Sequence, residues 1–382
     1  MSADGAQVAP WLVVAISGRM LAASAARGGH RVVVLDCFTD RDTRAVALAA
    51  RAVAAPGAPR FDRRALLRAA HELAPPHASA GLVAGSGFEG RIGLLGRLAE
   101  GRRLAGNPPE VVAAAKDPDW FFPLLDRLGV PHPEVRRVAP PEPRDWLWKR
   151  VGGAGGIHVQ PATARAARRG AYFQRREPGR TLSTLFLADG RRARRIGCSE
   201  QWVAPQPGLP FIYGGAVGGV PLPPAILDSL DRWLDALVAA LGLVGLNGLD
   251  FLLEQDRLSV LELNPRPTAT LELYDPDWNS GLFDRHLRAC AGELPATVPA
   301  PGAARASTIV TAPRDWSPGP AFAFPAWCRD LPTPGTAFRA GDPVCTVFAE
   351  RPTPAEAAAA AREGAALLRA AIGAADPPRE AP

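Results

Sequence analysis

Unbroken apolar runs, separated by glycine-rich turns, set the pattern of the first hundred residues. Trp11-Leu-Val-Val-Ala-Ile16 is a short continuous run of the kind a strand buried on both faces requires. Ser17-Gly18-Arg19 turns the chain into an Ala-rich helix reaching about Arg27, and Gly28-Gly29 stops it. Arg31-Val-Val-Val-Leu-Asp36 reads as a second strand and Leu82-Val-Ala-Gly-Ser86 as a later one. Strand, helix and strand in this order predict a parallel sheet.

The pattern changes from Asn107. Pro118 to Leu128 is a short amphipathic helix stopped by Gly129, and Ala139-Pro-Pro-Glu-Pro143 is a loop. Trp146-Leu-Trp-Lys-Arg-Val151 predicts a strand that runs straight into Gly152-Gly-Ala-Gly-Gly156. Leu230, Leu234, Leu237 and Leu241 fall on one face of a helix expected over 228–241. Gly248–Leu253 and Leu258–Leu263 predict two strands joined by a turn at Gln255-Asp256-Arg257. Beyond about 300 the chain is Pro-rich with short apolar runs, which predicts small β structure. A closing helix is expected over Ala355–Ala371 and a disordered tail over Pro377–Pro382. No internal repeat is visible.

With 382 residues the chain is long enough for two or three domains. The expected divisions are 1–106, 107–295 and 296–382, and the apolar and charged fractions are ordinary for a globular protein. The formal net charge of +6 comes from arginines scattered along the chain. Local runs such as Arg165–Arg169 and Arg191–Arg195 read as solvated faces. Basic and aromatic residues do not alternate as in a nucleic-acid module, so no nucleic-acid partner is expected. Five widely spaced cysteines without CxxC spacing argue against a disulfide framework or structural zinc. No apolar stretch approaches the ~18–20 residues needed to span a bilayer. The expectation is a cytoplasmic protein without a membrane partner.

Among 44 basic side chains only two are lysines, Lys116 and Lys149. In an Ala-, Arg-, Gly- and Pro-rich sequence, a retained lysine marks a position where the broad guanidinium fork will not serve. A compact ammonium suits a tight phosphate pocket. Lys149 precedes four glycines, Gly152, Gly153, Gly155 and Gly156, whose backbone can turn N–H groups toward an anion. The sequence GxxxxGK[ST] is absent, so this is not a Walker loop, and GxGxxG is absent after the first strand. Asp36 there reads as a strand-end turn residue. Glu262 and Asn264 are two apart on an extended strand and share a face, with Asp250 on the paired strand able to come alongside. Two carboxylates and an amide oxygen are hard ligands suited to Mg²⁺. Arg266 follows between Pro265 and Pro267.

Together these residues resemble the ATP-grasp superfamily, which holds ATP between two α+β subdomains. The resemblance implies mixed α/β and α+β architecture. It comprises an N-terminal Rossmann-like domain, an ATP-grasp domain with a lid at about 117–173, and a small β-rich C-terminal segment. Lys116 and Lys149 match the nucleotide lysines. Gln174, Arg175 and Glu177 match the hinge that reads adenine. Asp250, Glu262 and Asn264 match the ligands of Mg²⁺, with Mn²⁺ an acceptable substitute, and Arg266 matches an arginine beside the transferred phosphate. The combination is most similar to ATP-dependent carboligases related to biotin carboxylase, some linked to tetrahydromethanopterin and methanofuran C1 metabolism. Three positions depart from the pattern, one being Ile157-His158 after the glycine loop, where an Arg-Gly pair is common. Thr181 stands where relatives carry a ribose-binding Glu. Thr270 stands where biotin carboxylases carry their bicarbonate base, with Glu272 two residues further on.

The implied activity is carboxylate–amine (or carboxylate–thiol) ligation through an acyl phosphate, with Lys149 and Arg266 in the chemistry. Its partners would be a small carboxylate and an amine such as glutamate, and a homodimer is compatible with it. The alternatives are a bicarbonate-dependent carboxylase and a non-catalytic ATP-binding protein. Phe211–Gly219 is the segment expected on the acceptor side, and His158 is expected to be a lid-packing or solvent residue.

Overall fold

The computed structural model describes residues 8–55, 57, 59–164 and 169–374. The expected tail at Pro377–Pro382 and Arg165 to Arg168 of one basic run lie outside the described residues. Three sheets organise the chain.

The first is the expected parallel sheet. Strands β1 (Trp11–Val14), β2 (Val32–Asp36), β3 (Ala49–Ala52), β4 (Gly81–Ala84) and β5 (Leu104–Ala105) lie in the order β3-β2-β1-β4-β5. Side chains of β1 alternate between two cores, as a doubly covered strand requires. Trp11 and Val13 pack with Leu21 of helix α1 (Arg19–Arg27). Leu12 and Val14 pack with Leu66 of α3 (Arg63–Leu73) and Leu95 of α4 (Ile92–Ala99). A short helix α2 (Arg41–Val46) lies between β2 and β3. Neighbouring strands β1 and β4 connect in opposite directions, so the loops at their C-terminal ends, Ile16–Arg19 and Gly85–Glu89, form a crevice suited to ligands.

Helices α5 (Pro109–Lys116) and α6 (Pro118–Arg127) lead to an antiparallel four-stranded sheet. Its strands are β6 (Val135–Arg136), β7 (Trp146–Arg150), β8 (Val159–Pro161) and β9 (Ala171–Arg175), in the order β6-β9-β7-β8.

The third sheet has eight strands in the order β14-β13-β10-β11-β12-β15-β17-β16. These are β10 (Arg180–Asp189), β11 (Ala193–Val203), β12 (Tyr213–Val217), β13 (Val244–Glu254), β14 (Arg257–Asn264), β15 (Ala304–Thr311), β16 (Cys328–Arg329) and β17 (Pro343–Arg351). Helix α7 (Pro224–Leu241) begins four residues before the leucine spacing predicted, because Pro224 suits the first helical turn. Between β14 and β15 run α8 (Leu271–Tyr274) and α9 (Gly281–Cys290). The C-terminal β structure extends the large sheet, and α10 (Pro354–Ala374) buries Ala357, Ala361, Leu368 and Ile372 in the same core as Val310 and Val347. All five cysteines are free. No described helix is long and apolar enough to cross a membrane.

Candidate functional site at the seam of three sheets

The site forms where α5, the small sheet and the β13–β14 hairpin meet. Pro118 breaks the helix after Lys116, and Asp117 caps the next one by accepting from the Asp119 N–H at 3.1 Å. Lys116 thus ends a helix with its ammonium turned inward. Nζ donates to Asn264 Oδ1 at 2.9 Å and lies 3.3 Å from Glu262 Oε2. Lys149 stands mid-strand on β7, opposite Tyr172 on β9 and Val159 on β8, and is 6% exposed. Its ammonium has no hydrogen-bond partner among the described residues. Burial lowers its pKa, against the pull of Glu262 and Asp250.

Asp250 and Glu262 are direct partners across the β13–β14 ladder, and a bulge follows at Asp250/Phe251. Asn264 Nδ2 donates to Asp250 Oδ2 at 2.9 Å, and Gln201 Nε2 donates to Asp250 Oδ1 at 3.0 Å. The three ligands expected from the sequence therefore converge. Burial and the facing Glu262 charge push Asp250 up to about 7. Burial would raise Glu262 as well, but Lys116 and Lys149 override it and hold that carboxyl well below the usual range. A buried, like-charged pair with an amide oxygen beside it fits a divalent cation. Among the described residues, no group of three or more His, Cys, Asp or Glu side chains is arranged to hold a metal.

Arg266 reaches across to the first sheet. Its Nε pairs with Glu89, and Nη1 donates to the Pro267 carbonyl at 3.1 Å. Glu89 is 5% exposed and also accepts from the Gly87 N–H at 2.8 Å. Burial would raise its pKa, yet Arg266 and Lys116 hold it below the ordinary value. Glu89 and Gln201 were not singled out by the sequence reading. Glu89 could have been found from Gly85-Ser-Gly-Phe-Glu89, a glycine loop at the C-terminal end of a parallel strand.

Gln174 on β9 is fully buried. Its Nε2 donates to the Leu261 carbonyl at 3.4 Å, and its Oε1 has no partner. Glu177 accepts from Ser259 Oγ at 2.8 Å. Arg175 points outward, 4.0 Å from Glu134, and takes no part in this cluster.

The glycine loop is seated on two neighbours. Gly152 has φ +69°, and a Cβ there would strike the Glu89 carbonyl. Gly156 has φ +75°, and a Cβ there would strike the Phe211 carbonyl, while the Gly155 carbonyl accepts from the Tyr213 N–H at 3.0 Å. Under the loop, a cavity is lined by Lys116, Phe122, Arg150, His158, Tyr172 and Glu262. Lys116, Arg150, Glu262, Gly152 and Gly153 line this cavity, with Lys149 and Asp250 buried within electrostatic reach of Glu262, a set whose chemistry suits a polyanion with its counter-cation.

Comparison with known proteins agrees. Residues 121–270 match the family model of the ATP-grasp domain. An 89-residue stretch is 38% identical to formate-dependent phosphoribosylglycinamide formyltransferase of Anaeromyxobacter dehalogenans (strain 2CP-C), and it spans only 22% of either chain. Biotin carboxylase from Campylobacter jejuni superimposes with a TM-score of 0.73 at 11% identity, covering 96% of this chain and 95% of that one. L-amino acid ligase from Bacillus licheniformis superimposes at 0.67 and 13% identity, covering 93% and 96%. The chain carries an ATP-grasp domain within an ATP-grasp fold, a module of ATP-dependent ligases and carboxylases.

Proposed function

We propose that the protein is an ATP-dependent carboxylate–amine ligase working through an acyl phosphate. The buried cluster of Lys116, Lys149, Asp250, Glu262 and Asn264, of which Lys116 and Glu262 line the cavity beneath the glycine loop, carries this reading. Lys116 and Lys149 hold the nucleotide phosphates, and Gly152, Gly153, Gly155 and Gly156 cover them. The unpartnered Oε1 of Gln174 is free to accept from the adenine amino group, with Glu177 beside it. Asp250, Glu262 and Asn264 would hold Mg²⁺, which spreads the phosphate charge during transfer.

A substrate carboxylate attacks the γ-phosphorus, the bond to the β-phosphate oxygen breaks, and ADP leaves. An amine then attacks the acyl phosphate and inorganic phosphate leaves. Phosphoryl transfer depends on positioning and charge neutralisation, which this set of residues supplies. Arg266 lies next to the ligand strand, where it stabilises charge at transfer. Closure of the loop excludes water that would hydrolyse the acyl phosphate. Addition of glutamate in C1-cofactor synthesis is the acceptor chemistry suggested by the resemblance, with Phe211–Gly219 on the acceptor side.

A bicarbonate-dependent carboxylase is less well supported. Thr270 replaces the expected base and bonds to Thr268 at 2.9 Å, and Glu272 is engaged by Arg19 at 2.6 Å. The test is product analysis with panels of carboxylates and amines. ADP and phosphate, formed only with both substrates, are expected. AMP and pyrophosphate would sink the acyl-phosphate scheme, and turnover that needs bicarbonate and no amine would select the carboxylase.

A further inference from the structure

His158 lies two residues beyond the glycine loop, at the head of β8, with its backbone tied into β7 by a bond from the Arg150 N–H to the His158 carbonyl at 3.2 Å. It was expected to be a lid-packing or solvent residue. Its ring does pack, lying so tightly on Gly153 that a Cβ there would overlap it. Packing does not account for its polar atoms. The residue is 5% exposed, and Nδ1 is wholly buried with no hydrogen-bond partner among the described residues. A buried ring nitrogen without a partner carries a desolvation cost that an apolar residue of similar size would avoid. The residue also lines the cavity beneath the glycine loop, together with Lys116, Arg150 and Glu262. Burial pushes its pKa down to about 4, against a backbone contact with Ala154, so the ring is neutral at pH 7 and carries one N–H on either nitrogen.

We infer that His158 is a phosphate-binding residue of the loop, which on nucleotide binding holds its one proton on Nδ1 and donates that N–H to a polyphosphate oxygen in place of the Ala154 contact. This rests on the nucleotide reading of the site. A neutral donor adds direction where Lys116 and Lys149 add charge. Gly153 is then required because the ring occupies the space its side chain would fill. The contact is assigned to the β-phosphate, so it would separate ADP from AMP.

The experiment is calorimetric titration of the full chain with ADP, AMP and adenosine, in Mg²⁺ buffer, for the wild type, His158→Asn and His158→Leu. Asn keeps an N–H donor near the Nδ1 position, whereas Leu keeps only the bulk. The expected result is that His158→Leu weakens ADP by about ten- to one-hundredfold, the worth of one hydrogen bond to a charged group. Asn should recover most of that loss, and AMP and adenosine should be unchanged in both. Unchanged ADP affinity in His158→Leu would overturn the inference. So would a Leu variant that outperforms Asn, or equal losses for all three ligands, since either outcome makes the ring mere packing. Unfolding midpoints without ligand show whether each variant is folded. A wild type that binds no nucleotide would defeat the function proposed above, and this inference with it. A wild type that binds ADP beside unaltered variants defeats only the inference.

Discussion

Lys149 has little room. It is flanked in the ladder by Tyr172 and Val159 and has Glu262 and Asp250 within electrostatic reach. A guanidinium at this position would need space and a planar partner that the strand does not provide. Lys149→Arg should therefore cut kcat/KM by roughly 10²-fold, the scale of an ångström-sized misplacement of a reacting group. Steady-state kinetics will show this, and normal activity would remove Lys149 from the site. At this scale much of the site was legible in sequence. Two lysines in an arginine-rich chain, and Glu-x-Asn on an apolar strand, carry local signals. Glu89 and Gln201 do not, because their significance arises only when distant strands bring them to Arg266 and Asp250. Arg175 lies next to buried Gln174 on β9, and alternation along the strand turns its side chain outward.

The strands and helices near the site were read from apolar runs and proline or glycine stops, and their bounds shifted by a few residues. The β13–β14 hairpin is longer than expected because Val244–Asn247 are mostly buried and continue the ladder with β10. The sequence could not show that β15 and β17 would join the same sheet as β13 and β14, since the join is made by β15 pairing with β12 across 89–93 residues of chain (Ala306 with Val217, Thr308 with Gly215). The glycine loop is the element most exposed to a single change. Gly156→Ala would combine a positive φ, unfavourable by about 1–2 kcal/mol for other residues, with a clash against Phe211. The loop should leave its seat while the three sheets remain folded. Amide hydrogen exchange should rise over 152–160 and stay unchanged in β1 and β10. Unaltered exchange in the loop would show that the seat tolerates a side chain.

At the scale of the molecule, the N-terminal sheet is fastened to the C-terminal strands by a cluster around Arg19. Asp330 accepts from Arg19 at 2.9 Å, and Asp42 accepts from the Asp330 and Leu331 N–H groups at 2.8 and 3.1 Å. Asp40 lies in this cluster without an ion pair among the described residues. Burial, followed by repulsion from Asp330, Asp36 and Asp42, pushes it up to about 8. A carboxyl raised in the folded state contributes stability that is present at low pH and lost as pH rises through that value. Asp40→Asn should leave stability near wild type at pH 4 and exceed it increasingly up to pH 8–9 in denaturant titrations. A constant difference across that range would show that Asp40 ionises freely. The same view of the whole molecule gives the two lysines a further use. They are the only side-chain amines in the sequence, and both are buried, Lys116 beneath the seated glycine loop and Lys149 on the strand that enters it. Acylation of either one by an amine-directed reagent must wait for the loop to lift. The protein therefore carries its own stopwatch: the acylation rate at Lys116 and Lys149, read by mass spectrometry, times the opening of the site without any added label.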